Sequence, residues 1–155
     1  MTALTAPARL LLLVLVAACT RKAPPFQLQA IDGGDGLLLQ IPRDHRAKRL
    51  GDTLQVVSPR SDKSRSPLQV LISTTVIKPE LPGQRSRELQ GRTIHYTVEH
   101  EEGGSGGEGL RLRAWVESVG RYVVLDSLTQ PESGGDGDFQ VEWAILPTLR
   151  WHPPR

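Results

Sequence analysis

Residues 110–125 read Leu-Arg-Leu-Arg-Ala-Trp-Val-Glu-Ser-Val-Gly-Arg-Tyr-Val-Val-Leu. Side chains alternate between the two faces of a β-strand. Leu110, Leu112, Ala114 and Val116 therefore share an apolar face, while Arg111, Arg113, Trp115 and Glu117 share the other. Gly120 is a turn residue, and Tyr122–Leu125 resumes an apolar, β-branched run, so a strand, a tight turn and a second strand are predicted. Strands joined by so short a turn pair antiparallel. The whole chain is accordingly expected to be a sheet with one face in the core and one in water.

Upstream, Thr93–Val98 alternates with Ile94, Tyr96 and Val98 on one face. Between it and Leu110, His100–Gly109 holds five glycines and three glutamates and reads as a mobile loop tip. Leu68–Ile77 is rich in β-branched residues and reads as a long strand stopped by Lys78-Pro79. Thr53–Val57 is strand-like, and Ser58–Pro67 is a polar loop. Near the start, Phe26–Ala30 alternates, Gly33-Gly34-Asp35-Gly36 marks a turn, and Leu37–Ile41 ends at Pro42, which together predict a hairpin. Arg43–Leu50, closed by Gly51, is a basic run expected as a helical turn on the surface, and Glu80–Gly91 reads as irregular or weakly helical. Successive strands with short turns give an antiparallel meander.

Gln130–Asp138 is a second acidic, glycine-rich loop. Phe139–Leu149 fits two periods. As a strand it aligns Phe139, Val141, Trp143 and Ile145; as a helix it aligns Phe139, Trp143, Leu146 and Arg150, with Asp138 as N-cap and Pro147 cutting it short.

Leu10–Ala18 is a nine-residue apolar run after Arg9, with small residues at Ala17 and Ala18 directly before Cys19, the single cysteine. A membrane-spanning helix needs about 20 apolar residues. The pattern instead predicts a lipoprotein signal peptide over residues 1–18 with Val16–Cys19 as its lipobox. Cys19 is then the lipidation site, with palmitate-type acyl chains, and residues 19–25 form the lipidated cysteine and tether. Residues 26–152 form a single periplasmic domain. Thr20, in place of an aspartate after the cysteine, points to the outer membrane. With no second cysteine, the domain has no internal disulfide and relies on packing.

The net charge of +2 is too small for nucleic-acid binding by bulk electrostatics, so no nucleic-acid partner is expected. Its distribution is uneven: residues 20–98 hold 13 Lys and Arg against 7 Asp and Glu, and residues 99–155 hold 5 against 10. Such asymmetry marks either an oriented binding surface or loops of ordinary solvated composition. His45, His95, His100 and His152 lack metal-ligand spacing, and a strand would point His95 and His100 to opposite faces. No nucleophile elbow, phosphate loop or dinucleotide fingerprint occurs. Carboxylates in glycine-rich loops hold catalytic geometry poorly. A non-enzymatic protein with no cofactor and no metal is the expectation.

The lipobox, the Leu68–Ile77 strand, and the run from Leu128 through the acidic loop into Trp143-Ala-Ile-Leu-Pro-Thr-Leu-Arg-Trp151 together resemble small secretion-linked lipoproteins of PsbP-like fold. More specifically, the chain is similar to periplasmic immunity lipoproteins that protect a bacterium from a type VI secretion muramidase effector. The resemblance implies an α+β fold: mainly an antiparallel β-sheet with a C-terminal helix over Phe139–Leu149 and room for one further short helix packed on it. It implies an inhibitor of a peptidoglycan-degrading effector protein that plugs the enzyme's active-site groove. It carries over one residue, the lipidated Cys19. From charge and loop position, Glu101, Glu102, Glu132, Asp136 and Asp138 are the expected partner-binding residues, with Trp115 or Tyr122 either a rigid anchor or part of the core. The alternative is a non-catalytic envelope-assembly or scaffolding lipoprotein that uses the basic residues Arg46, Lys48 and Arg49.

Overall fold

The structure, a computed structural model, describes residues 26–58, 69–102, 108–129 and 139–154. Its paired strands all run antiparallel. A hairpin of β1 (Leu28–Gly34) and β2 (Leu37–Pro42) is joined by β10 (Arg150–Trp151) in a small sheet of order β1-β2-β10. The large sheet contains β3 (Arg46–Leu50), β4 (Thr53–Val57), β5 (Gln69–Thr75), β6 (Arg85–Leu89), β7 (Arg92–Glu102), β8 (Glu108–Ser118) and β9 (Arg121–Thr129). Its order is β3-β4-β5-β9-β8-β7-β6.

The alternation over β8 has the expected consequence: Leu110, Leu112, Ala114 and Val116 are all fully buried. With Val56, Val70, Ile72, Ile94, Val123 and Leu125 they form the inner face of the large sheet. That face is covered by the small sheet, through Leu37, Leu39 and Ile41, and by a helical segment, through Phe139, Ile145, Leu146 and Leu149. The segment is α1 (Gln140–Ile145) followed by a 3-10 turn, Leu146–Thr148. The helical alternative therefore holds for Phe139–Leu149, and Pro147 sits where the helix tightens. Asp138, the expected cap, lies outside the described residues. Phe139 occupies the N-cap position without a side-chain hydrogen bond, and its ring is fully buried.

Two basic or polar stretches read differently in three dimensions. Arg43–Leu50 is not a helical turn: Arg46–Leu50 is β3, an edge strand paired with β4. All five of its residues are exposed, so no apolar alternation marks it, and its charges suit an unpaired edge. Glu80–Gly91 likewise contains β6, the opposite edge, paired with β7 through the Gln90–Gly91 turn. Both strands owe their state to a partner rather than to their own composition.

Within the large sheet, neighbour pairing breaks once. β5 lies beside β9, and the chain from Thr75 to Arg85 crosses to the far edge before pairing again. β5 and β6 run in the same direction, so a hairpin cannot join them. The crossover passes over the outer face at Trp115, whose indole donates to Gln84 Oε1 at 3.1 Å and lies under the Lys78 ammonium. His95 stacks on the same ring at 4.0 Å and Tyr122 meets it edge-on at 5.3 Å. Trp115 is therefore 2% exposed although it points away from the main core.

Candidate functional site

The register places Val57, Gln69, Leu128, Arg111 and Glu99 side by side across five strands. At this end of the large sheet β4, β7 and β9 finish and β5 and β8 begin. The strand ends that bound three connections, residues 59–68, 103–107 and 130–138, thus share one end of the sheet. The opposite end carries the two-residue turns at Gln90–Gly91 and Val119–Gly120.

On the outer face beside that shared end, charged side chains form a lattice. Arg111 donates Nε and Nη2 to the two carboxylate oxygens of Asp126, at 2.9 and 2.7 Å, and Nη1 to Glu101 Oε1 at 2.8 Å. Arg113 lies 3.9 Å from both Glu99 and Asp126. Alternation explains the grouping, since Glu99 and Glu101 on β7, Arg111 and Arg113 on β8, and Asp126 on β9 share the wet face and neighbouring registers. Hydrogen bonds donated to Asp126, then to Glu101, hold the Arg111 guanidinium more firmly protonated than usual. Three carboxylates against two guanidiniums leave the lattice one negative charge in excess, and a bidentate, shared arrangement orients these side chains better than isolated surface pairs do.

The expected partner-binding residues distribute unevenly. Glu101 is not in a loop: β7 runs to Glu102, opposite Glu108. Its carboxylate is tied to Arg111, so any partner meets it already oriented and partly neutralised. Glu102 is the last residue of β7. Glu132, Asp136 and Asp138 lie outside the described residues, as does Cys19. Trp115 is covered and offers no protruding anchor. Sequence reasoning missed Asp126, Glu99, Arg111 and Arg113 as a unit; their signal was outward parity on three adjacent strands, readable only once the strand order is known.

Elsewhere, Arg49 pairs with Asp35 and donates to the Gly33 carbonyl at 2.6 Å, docking β3 on the β1–β2 turn. Among the described residues no group of three or more His, Cys, Asp or Glu side chains could hold a metal ion. No described helix is long and apolar enough to cross a membrane.

A model of the Type six secretion immunity 3 domain matches residues 38–150, from the start of β2 to β10. The chain belongs to this family. Members are type VI secretion immunity proteins, so its role is to bind and neutralise a cognate effector protein. The chain is also similar to the immune protein Tsi3 of Pseudomonas aeruginosa, at 28% identity over 133 residues, covering 86% of this chain and 89% of Tsi3. Among solved structures, a protein of Bacteroides thetaiotaomicron superposes with a TM-score of 0.60 at 11% identity. The match covers 79% of this chain and 47% of that one, so this chain spans about half its length. At that identity the likeness concerns the fold alone.

Proposed function

We propose that this immunity protein is a periplasmic lipoprotein, anchored to the outer membrane by acyl chains on Cys19. There it binds a secreted peptidoglycan-degrading effector, a muramidase, and occludes its active-site groove without catalysing a reaction itself. The observation that carries the reading is that the strand ends bounding three connections share one end of the large sheet. Two of them, residues 103–107 and 130–138, are glycine-rich and acidic or flanked by glutamates. Connections presented by a rigid scaffold suit entry into another protein's cleft. Carboxylates of Glu101, Glu102, Glu132, Asp136 and Asp138 would accept hydrogen bonds in a groove that ordinarily donates them to sugar oxygens. Of these, Glu101 is held by Arg111, which limits the entropy its side chain would lose on docking.

The test is charge reversal. Glu132→Lys combined with Asp136→Lys is expected to weaken inhibition of the effector by at least about tenfold, the scale of a lost interface hot spot, with thermal unfolding unchanged. Arg46→Glu with Lys48→Glu, on the β3 edge, is expected to leave inhibition intact. Inhibition that survives the acidic reversal and fails in the β3 variant would favour the scaffolding use of the basic residues. Cleavage of purified peptidoglycan by the protein alone would end the inhibitor reading.

A further inference from the structure

Towards the end of the large sheet opposite the acidic connections, a cleft of about 400 Å³ opens on the outer face. Its lining includes Lys78, Arg92, Thr93, His95, Trp115 and Glu117. The volume is that of a small-ligand pocket. Its charge is lopsided. Glu117 is the one acid among those residues, against the cations Lys78 and Arg92.

Neither cation makes an ion pair with a carboxylate among the described residues. Lys78 is exposed and makes no ion pair there; its ammonium stands 5.6 Å over the Trp115 ring. Arg92 donates Nη1 to the Leu149 carbonyl and Nη2 to the Glu117 carbonyl, the latter at 2.7 Å. Arg150 donates to the same Leu149 carbonyl at 2.9 Å. Two guanidiniums thus converge on one backbone oxygen. Burial first, and Arg150 second, lower the Arg92 pKa to about 10, the direction expected of a cation short of counter-charge.

The wall of the cleft is preorganised. His95 and Trp115 stack with their planes 19° apart, and one amide holds both. Gln84 Oε1 accepts from the Trp115 indole, so its Nε2 is the group that meets His95 Nδ1 at 3.3 Å. Nδ1 is then an acceptor, which leaves Nε2 as the ring's donor.

We propose that this cleft binds a small anion, a carboxylate or phosphate borne on a ring or short chain, between Lys78, Arg92 and the His95–Trp115 stack. The site is separate from the effector-facing end and does not depend on it. The purified protein is titrated at constant ionic strength with inorganic phosphate, with D-glucuronate and with D-glucose, following the Trp115 indole and Gln84 side-chain N–H signals by NMR. At least one anion is expected to give a saturable shift with a Kd of roughly 1–10 mM, and glucose none. Lys78→Glu should weaken binding by about fivefold or more and Glu117→Gln should tighten it by about twofold, as charges beside a solvated anion do. Both side chains are exposed, and an unperturbed remainder of each spectrum reports that the fold is kept. Saturation by phosphate alone assigns a phosphate-bearing ligand; saturation by glucuronate alone assigns a carboxylate on a ring. A linear response to both anions, equal saturation by glucose, or unchanged affinity in Lys78→Glu overturns the proposal.

Discussion

Glu142 shows at a single residue how burial overrides composition. On α1 it is 0% exposed and faces the inner side of the large sheet, where Ser127 donates its hydroxyl to Oε1. Oε2 is buried without a hydrogen-bond partner among the described residues. Burial raises the carboxyl above its usual range, and the Ser127 hydrogen bond only partly opposes this. A raised folded-state pKa means the contribution to stability is complete below the unfolded value and is lost as pH rises through the folded one. Glu142→Gln, which cannot ionise, should therefore be more stable than the parent at pH 8 by about 1–3 kcal/mol. That advantage should vanish near pH 4, as thermal melts across pH would show. Gly36 is a second decisive residue. It has φ +81°, and a Cβ there would lie 1.8 Å from the His152 carbonyl oxygen. Its own carbonyl accepts from the His152 N–H at 2.8 Å. Gly36→Ala must push the C-terminal strand away, and a loss of roughly 2–4 kcal/mol in denaturant unfolding is expected from that overpacking and strain.

At the scale of elements, the β8–β9 hairpin closes through Val119 and Gly120, both at positive φ, 51° and 72°. Two positive values suit a two-residue turn that follows the sheet's twist, and such a turn favours Asn-Gly. A β-branched valine there is strained, and this one is also 64% exposed. Val119→Asn should stabilise the protein by about 1 kcal/mol, read as a higher melting temperature with an unchanged denaturant slope. A fall in stability would mean that the valine makes a compensating contact. The edge strands teach a complementary lesson. β3 and β6 carry mostly charged residues and almost no apolar periodicity, so the hydrophobic pattern that exposed β8 at once was silent for them. Their strand state comes from hydrogen bonding to β4 and β7. The C-terminal segment was ambiguous for the opposite reason: its apolar residues satisfy both periods, and only docking against the β-sheets selects the helix.

On the scale of the whole molecule, the strand order turns a linear charge pattern into a spatial one. The sequence divides into a basic first part and an acidic second part. In the fold, the strand ends that bound the acidic connections share one end of the large sheet, and Lys78 and Arg92 line a cleft towards the other. This polarity bears on how the protein works if it is tethered as proposed. Cys19→Ser should block acylation and lower protection of cells against the effector, while affinity for the effector in solution stays within about twofold of the parent, since an anchor acts through local concentration rather than contacts. Full protection by an exported, unlipidated form would show that the tether contributes nothing to immunity.

From its own residues the chain determines the one-sided strands, the tight turns and the absence of any recognisable catalytic motif, because alternation and turn chemistry act over a few residues. The acidic character of residues 130–138 is likewise written locally. Only the tertiary structure decides that β5 lies beside β9 and that Arg111, Asp126 and Glu101 meet. It also decides that Trp115 is covered, and that Lys78, Arg92 and His95 line one cleft. Each of these joins residues far apart in the chain, and the free energy that selects them comes from burial and pairing of the whole sheet rather than from any single stretch.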